Sequence, residues 1–184
     1  MQAKDIPNLI SILRIGITVP VVWGLLHEWY GVTLLLFAIA GLSDGLDGFL
    51  AKHYGWQSRL GGYLDPLADK VLLVSCFFAL GWLGHIPYWL VAVVVFRDLL
   101  IVAGAVAYHF QVSRLDAAPS LISKLNTFVQ IMLVLFVVLD KGAMALPPEL
   151  LEWLIWATFA TTVMSGVGYV WVWSRRAAIN SDSS

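Results

Sequence analysis

Charge is scarce in this chain of 184 residues: 12% are Asp, Glu, Lys or Arg, against 60% hydrophobic ones. Soluble domains carry about a quarter charged residues, so a water-facing globular exterior is excluded. Cysteine occurs once, as Cys76 in "LLVSCFFAL". One thiol excludes an intramolecular disulfide framework and any Cys-based metal site, and this one reads as packing. Internal repeats, low-complexity tracts and linkers are also missing, which excludes a multidomain array. Apolar runs recur along the whole length, so a cleaved leader ahead of a soluble body does not fit. The net charge of −1 says little about partners by itself, since the placement of charge matters more. No nucleic-acid partner is expected.

What remains is an integral membrane protein. A spanning helix needs about 20 mostly apolar residues, and on that ruler six spans are expected: Asn8–Leu26, Tyr30–Ala51, Gly62–Leu83, Pro87–Phe110, Leu121–Leu139 and Leu151–Trp173. The fold class expected is therefore all-α, one polytopic bundle of six transmembrane helices over residues 1–176, with residues 177–184 a disordered polar tail. Trp29, Trp82, Trp89, Trp153, Trp171 and Trp173 fall near span ends, where amphipathic rings favour the headgroup region. Lys4, Arg14, Lys52, Arg59, Arg114, Lys124, Arg175 and Arg176 gather on the side of the termini, whereas the opposite loops hold Lys141. Basic loops stay cytoplasmic, so both termini are expected there.

Against that background the stretch from Ser43 to Lys70, "SDGLDGFLAKHYGWQSRLGGYLDPLADK", places Asp44, Asp47, Asp65 and Asp69 at the cytoplasmic ends of two consecutive spans. Asp44 and Asp47 are three residues apart and Asp65 and Asp69 four, so each pair shares a helix face, about 4.5 and 6 Å apart along the axis. Four such carboxylates repel one another strongly unless cations neutralise them. An all-oxygen donor set favours Mg²⁺, or Mn²⁺ in its place, with two ions per site. Taken singly, the pairs have plainer readings. Asp65 before Pro66 fits a helix N-cap with proline at the first position, and Asp44 and Asp47 fit surface acids in a last turn, though there they oppose the helix dipole. Together the four are better explained by metal.

The same residues resemble the signature of the CDP-alcohol phosphatidyltransferase family, D-x2-D-G-x2-A-R-x8-G-x3-D-x3-D: Asp44, Asp47, Gly48, Ala51, Lys52 at the Arg position, Gly61, Asp65 and Asp69. The six-span layout is similar over essentially the whole chain. The resemblance implies transfer of a phosphatidyl group from CDP-diacylglycerol to an alcohol, with release of CMP. It implies Asp69 as general base, the four aspartates as metal ligands, and Gly48, Ala51, Lys52, Gly61 and Asn8 beside the CDP-lipid. Lys52 keeps the charge of Arg without its bidentate fork. A homodimer is implied as well. The short, nearly tail-free chain suits a bacterial inner membrane, and the bias of Lys and Arg puts the site on the cytoplasmic face.

"DIPNLISILRIG" resembles the opening of phosphatidylglycerophosphate synthases and of eukaryotic-type cardiolipin synthases, where this helix borders the nucleotide. From the residues alone it reads as a helix start capped by Asp5, with Arg14 snorkelling to the surface. "FRDLLIVAGAVAY" and "SLISKLNTFVQIMLV" resemble the cardiolipin synthase branch more closely, so phosphatidylglycerol is the expected acceptor, with sn-glycerol 3-phosphate the alternative. Both carry phosphate, and Arg97, Lys124 and Arg114 are its candidate contacts. Arg97 and Asp98 are adjacent and so diverge by about 100° around their helix, which argues against a direct ion pair. Membrane prenyltransferases are rivals, but their Asp motifs lie in separate halves of longer chains, whereas these four acids fall within 26 residues. A cation transporter is a second rival, but its ligands sit near mid-bilayer on broken helices, which this pattern lacks.

Overall fold

The computed structural model describes the backbone of residues 6–54, 61–111 and 121–181 and the side chains of residues 9–43, 67–103 and 121–171. Among the described residues there are six helices and no strand: α1 (Ile6–Leu26), α2 (Tyr30–Tyr54), α3 (Gly61–Trp82), α4 (Tyr88–Gln111), α5 (Leu121–Gly142) and α6 (Pro148–Ser181). Each coincides with one expected apolar segment to within a few residues at its start. At its far end α6 runs on through Arg175 and Arg176 to Ser181, into the stretch expected to be tail. Leu9–Leu26, Leu121–Gly142 and Pro148–Trp171 are long and apolar enough to cross a membrane, and Tyr30–Ser43 is an apolar helical stretch shorter than a span.

Burial is inverted relative to a soluble protein. Leu13, Val19, Leu35, Phe96 and Val167 are exposed, while Arg14, Thr18, Arg97, Asn126, Gln130 and Thr162 are buried. In water that arrangement would expose apolar area and desolvate polar groups, both at a cost. A lipid exterior removes the first cost, and interhelical hydrogen bonds reduce the second.

The chain divides into two compact units, residues 1–86 with 134–147, and residues 87–133 with 148–184. In the first, α1 packs against both α2 and α3, burying Val21 and Leu25 of α1 and Phe77 and Leu80 of α3. The α1–α2 connection is tight: Trp29 N–H bonds to the Gly24 carbonyl at 2.8 Å and Glu28 N–H to that of Leu25 at 2.9 Å. This is a Schellman closure, with Glu28 in the left-handed position at φ 60°. Gly84 does the same after α3 at φ 74°, where a glycine carries no steric penalty. Behind these turns the Tyr30 hydroxyl lies 2.9 Å from His85 Nε2. Burial, then the charge of Lys141, hold the His85 imidazole below its ordinary pKa.

In the second unit α4 packs against α6, and Leu90 and Val94 of α4 are buried together with Leu133 of α5. Trp89, Trp156 and Phe159 cluster there with ring centroids 5.4 to 6.0 Å apart. Such edge-on and tilted contacts suit the aromatic quadrupole.

Candidate active site

The helix boundaries bear on the plainer readings of the aspartates. α2 continues to Tyr54, so Asp44 and Asp47 lie inside it with Gly48, Ala51 and Lys52, not in its last turn. α3 begins at Gly61, so Asp65 and Pro66 also lie inside a helix, and the N-cap reading of Asp65 does not hold. With both stretches helical, the three- and four-residue spacings keep each pair on a single face. The side chains of Asn8, Asp44, Asp47, Gly48, Ala51, Lys52, Gly61 and Asp65 lie outside the described residues, as does Arg114 altogether.

Asp69 is described, and it supplies the main correction. Arg14 does not snorkel. It is 1% exposed, and its guanidinium donates to Asp69 Oδ1 in an ion pair between α1 and α3. A helical stripe explains the direction it takes: Ser11, Arg14, Thr18, Val21 and Leu25 are all buried, at spacings of three and four, so this face of α1 looks into the protein. That spacing was the signal in the sequence. Polar residues continuing an apolar stripe face the interior, whereas a snorkelling arginine would sit off it. The Asp69 side chain stays 46% exposed, so the pair joins a buried cation to an acid at the molecular surface.

A second buried arginine lies in the other unit. Arg97, 5% exposed, donates to Asp98 Oδ1 at 2.7 Å, so the expectation that these neighbours would not pair is wrong. A long side chain bends across the angle that separates adjacent positions. Arg97 also donates to Ser123 of α5 at 2.8 Å and to Ser165 of α6 at 2.5 Å. Elsewhere along the same helices Asn126 Oδ1 accepts from Thr161 at 3.0 Å and Thr162 at 2.8 Å. These bonds form a polar seam between α5 and α6. Lys124, one residue from Ser123, is exposed. Among the three candidate acceptor contacts the structure thus places Arg97 in an internal network and Lys124 at the surface.

Among the described residues no group of three or more His, Cys, Asp or Glu could hold a metal ion, and Asp69 is the one signature acid whose side chain they include. The donor chemistry nonetheless fits a hard divalent cation: four carboxylates on α2 and α3, two helices that both pack on α1. Asp69 suits such a role, being paired and partly open to solvent.

Residues 4–164 match the model of the CDP-alcohol phosphatidyltransferase family. The chain belongs to that family. The chain is 36% identical to a chloroplastic CDP-diacylglycerol–glycerol-3-phosphate 3-phosphatidyltransferase of Oryza sativa, over 90% of this chain and 56% of the rice protein. It is 39% identical to a CMP-forming cardiolipin synthase of Rattus norvegicus, over 70% of this chain and 48% of the rat protein. It is 33% identical to a probable phosphatidylglycerophosphate synthase of Mycobacterium tuberculosis, over 92% of this chain and 81% of that protein. The chain thus spans about half the length of the rice and rat relatives and most of the mycobacterial one.

Proposed function

We propose that the protein transfers the phosphatidyl group of CDP-diacylglycerol to an alcohol and releases CMP, at a cytoplasmic site in the bacterial inner membrane, within a bundle of six spans with both termini cytoplasmic. The observation that carries this reading is the full aspartate signature on α2 and α3, inside a family match covering residues 4–164. Asp44, Asp47, Asp65 and Asp69 would hold two Mg²⁺ or Mn²⁺ ions, which when bound draw charge from the pyrophosphate oxygens and favour departure of CMP. The reaction is a displacement at phosphorus. The acceptor hydroxyl oxygen forms a bond to the phosphatidyl phosphorus, the bond from that phosphorus to the CMP oxygen breaks, and CMP leaves with the electron pair. Asp69 receives the hydroxyl proton. Lys52 contacts a phosphate of the nucleotide, with Asn8, Gly48, Ala51 and Gly61 leaving room for the donor. Lys124 and Arg114 contact the acceptor's phosphate, joined by Arg97 from its anchored position. The active form is a homodimer.

Phosphatidylglycerol is the proposed acceptor, as the likeness to the rat cardiolipin synthase supports. The wider coverage of the rice and mycobacterial relatives favours sn-glycerol 3-phosphate as the second reading. Purified protein with CDP-diacylglycerol and Mg²⁺ separates them by CMP release. Release that requires phosphatidylglycerol is expected, and release only with glycerol 3-phosphate moves the protein to the second reading. If neither acceptor yields CMP, the phosphatidyl-transfer reading fails.

A further inference from the structure

Arg14 has no part in the chemistry described so far, yet it occupies one of the costliest positions a guanidinium can take, in the interior of a membrane helix pair. It is 1% exposed. Its contact is with Asp69, the residue assigned the proton. Its backbone is fixed in turn: the Arg14 carbonyl accepts from Thr18 Oγ1 at 3.1 Å, and α1 is packed against both aspartate-bearing helices.

We propose that Arg14 is a positioning residue for Asp69. It holds the carboxylate in the orientation that receives the acceptor's proton, and it supplies positive charge to the acid-bearing helices before a divalent ion binds. The inference rests on the reading of Asp69 as base. A carboxylate 46% exposed has several rotamers within reach, and a misplacement of about 1 Å costs on the order of 100-fold in rate. Pairing with a buried, rigid guanidinium removes that freedom. The second role follows from charge. Without metal, the acids of α2 and α3 repel one another, and a buried cation on the helix they share offsets part of that repulsion.

The test compares the full chain with Arg14→Gln and Arg14→Lys, in CMP release and in thermal unfolding with and without Mg²⁺. Arg14→Gln is expected to lower kcat about 100-fold while KM for CDP-diacylglycerol stays within about twofold. Arg14→Lys retains charge but not the fork and is expected to fall between. Independently of turnover, Mg²⁺ is expected to raise the melting temperature more in Arg14→Gln than in wild type, because the ions then replace a missing positive charge. Near-normal kcat in Arg14→Gln overturns the positioning role. So does a rise in KM that accounts for the whole loss, which makes Arg14 a donor contact, or Arg14→Lys no better than Arg14→Gln, which makes it packing. Equal Mg²⁺ shifts in all three proteins overturn the charge role. Should Arg14→Gln fail to fold, Arg14→Lys carries the kcat comparison and Arg14→Met, which keeps length without charge, the Mg²⁺ comparison. Absence of CMP release from wild type with every alcohol would count against the proposed function, and the Mg²⁺ shifts would still decide on Arg14.

Discussion

At the scale of single residues, two buried arginines set this chain apart from an apolar bundle. A charge inside a membrane protein persists when it is paired and when something depends on it. Arg14 is paired with Asp69 across two helices, and Arg97 with Asp98 on its own helix. The first involves a signature residue and the second does not. Asp69→Asn removes the proposed proton acceptor but keeps the shape. It is expected to abolish turnover, by about 100-fold or more, while CDP-diacylglycerol binding measured by equilibrium titration is largely kept. Loss of binding would make Asp69 chiefly a metal ligand. Asp69 was legible in the sequence because its spacing to Asp44, Asp47 and Asp65 is fixed along the chain. Arg14 was misread because one cation among apolar residues has two solutions, outward to headgroups or inward to an acid. The stripe on α1 points inward, but the acid that makes that direction tolerable lies 55 positions away.

At the scale of elements, the helices are held by features of very different size. α1 meets α2 where a Cβ at Gly24 would lie 2.5 Å from Thr33 Oγ1. The end of α5 meets α2 still more tightly, since a Cβ at Gly142 would lie 2.5 Å from Tyr30 Cβ and 3.2 Å from its backbone carbon. The nearest obstacle there is a Cβ fixed by its own backbone, with backbone atoms just beyond it, rather than the free end of a side chain, so it cannot turn aside. Gly142→Val is therefore expected to destabilise the fold by about 1–3 kcal/mol through overpacking, read as a lowered melting temperature in detergent. Gly41→Ala serves as control, because a Cβ there meets nothing within 4 Å. An unchanged Gly142→Val would show that the two segments separate freely. In the second unit the α5–α6 seam works by hydrogen bonds that Ser123 and Asn126 accept from groups on α4 and α6. Each such bond contributes roughly 0.6 kcal/mol in a membrane protein, so the seam sets register more than it adds stability.

At the scale of the whole molecule, the expected orientation rests on the bias of Lys and Arg toward one set of loops. Cys76 is the single cysteine and is buried, which leaves a clean background for thiol labelling. Glu28→Cys and Ala143→Cys, at exposed turns, are expected to react with a membrane-impermeant reagent from the outside of right-side-out vesicles. Ser181→Cys, at the end of α6, is expected to react only after the membrane is opened, and the opposite pattern would reverse the topology. The number and rough limits of the helices were readable because lipid thickness imposes a length and turn sequences impose ends. The aspartate signature was readable because it is local: helical periodicity alone aligns residues three and four apart. The sequence by itself thus determined that this is a helical membrane protein of the CDP-alcohol phosphatidyltransferase family, with two pairs of acids at helical spacing. Only the tertiary structure decided that Arg14 turns inward to Asp69 and that Arg97 binds Asp98, Ser123 and Ser165. Those contacts join separate helices or fold a side chain back on its own. The stripe on α1 gives the direction of Arg14, but each partner is selected by what a buried charge can reach once the helices are packed, and no spacing along the chain encodes that.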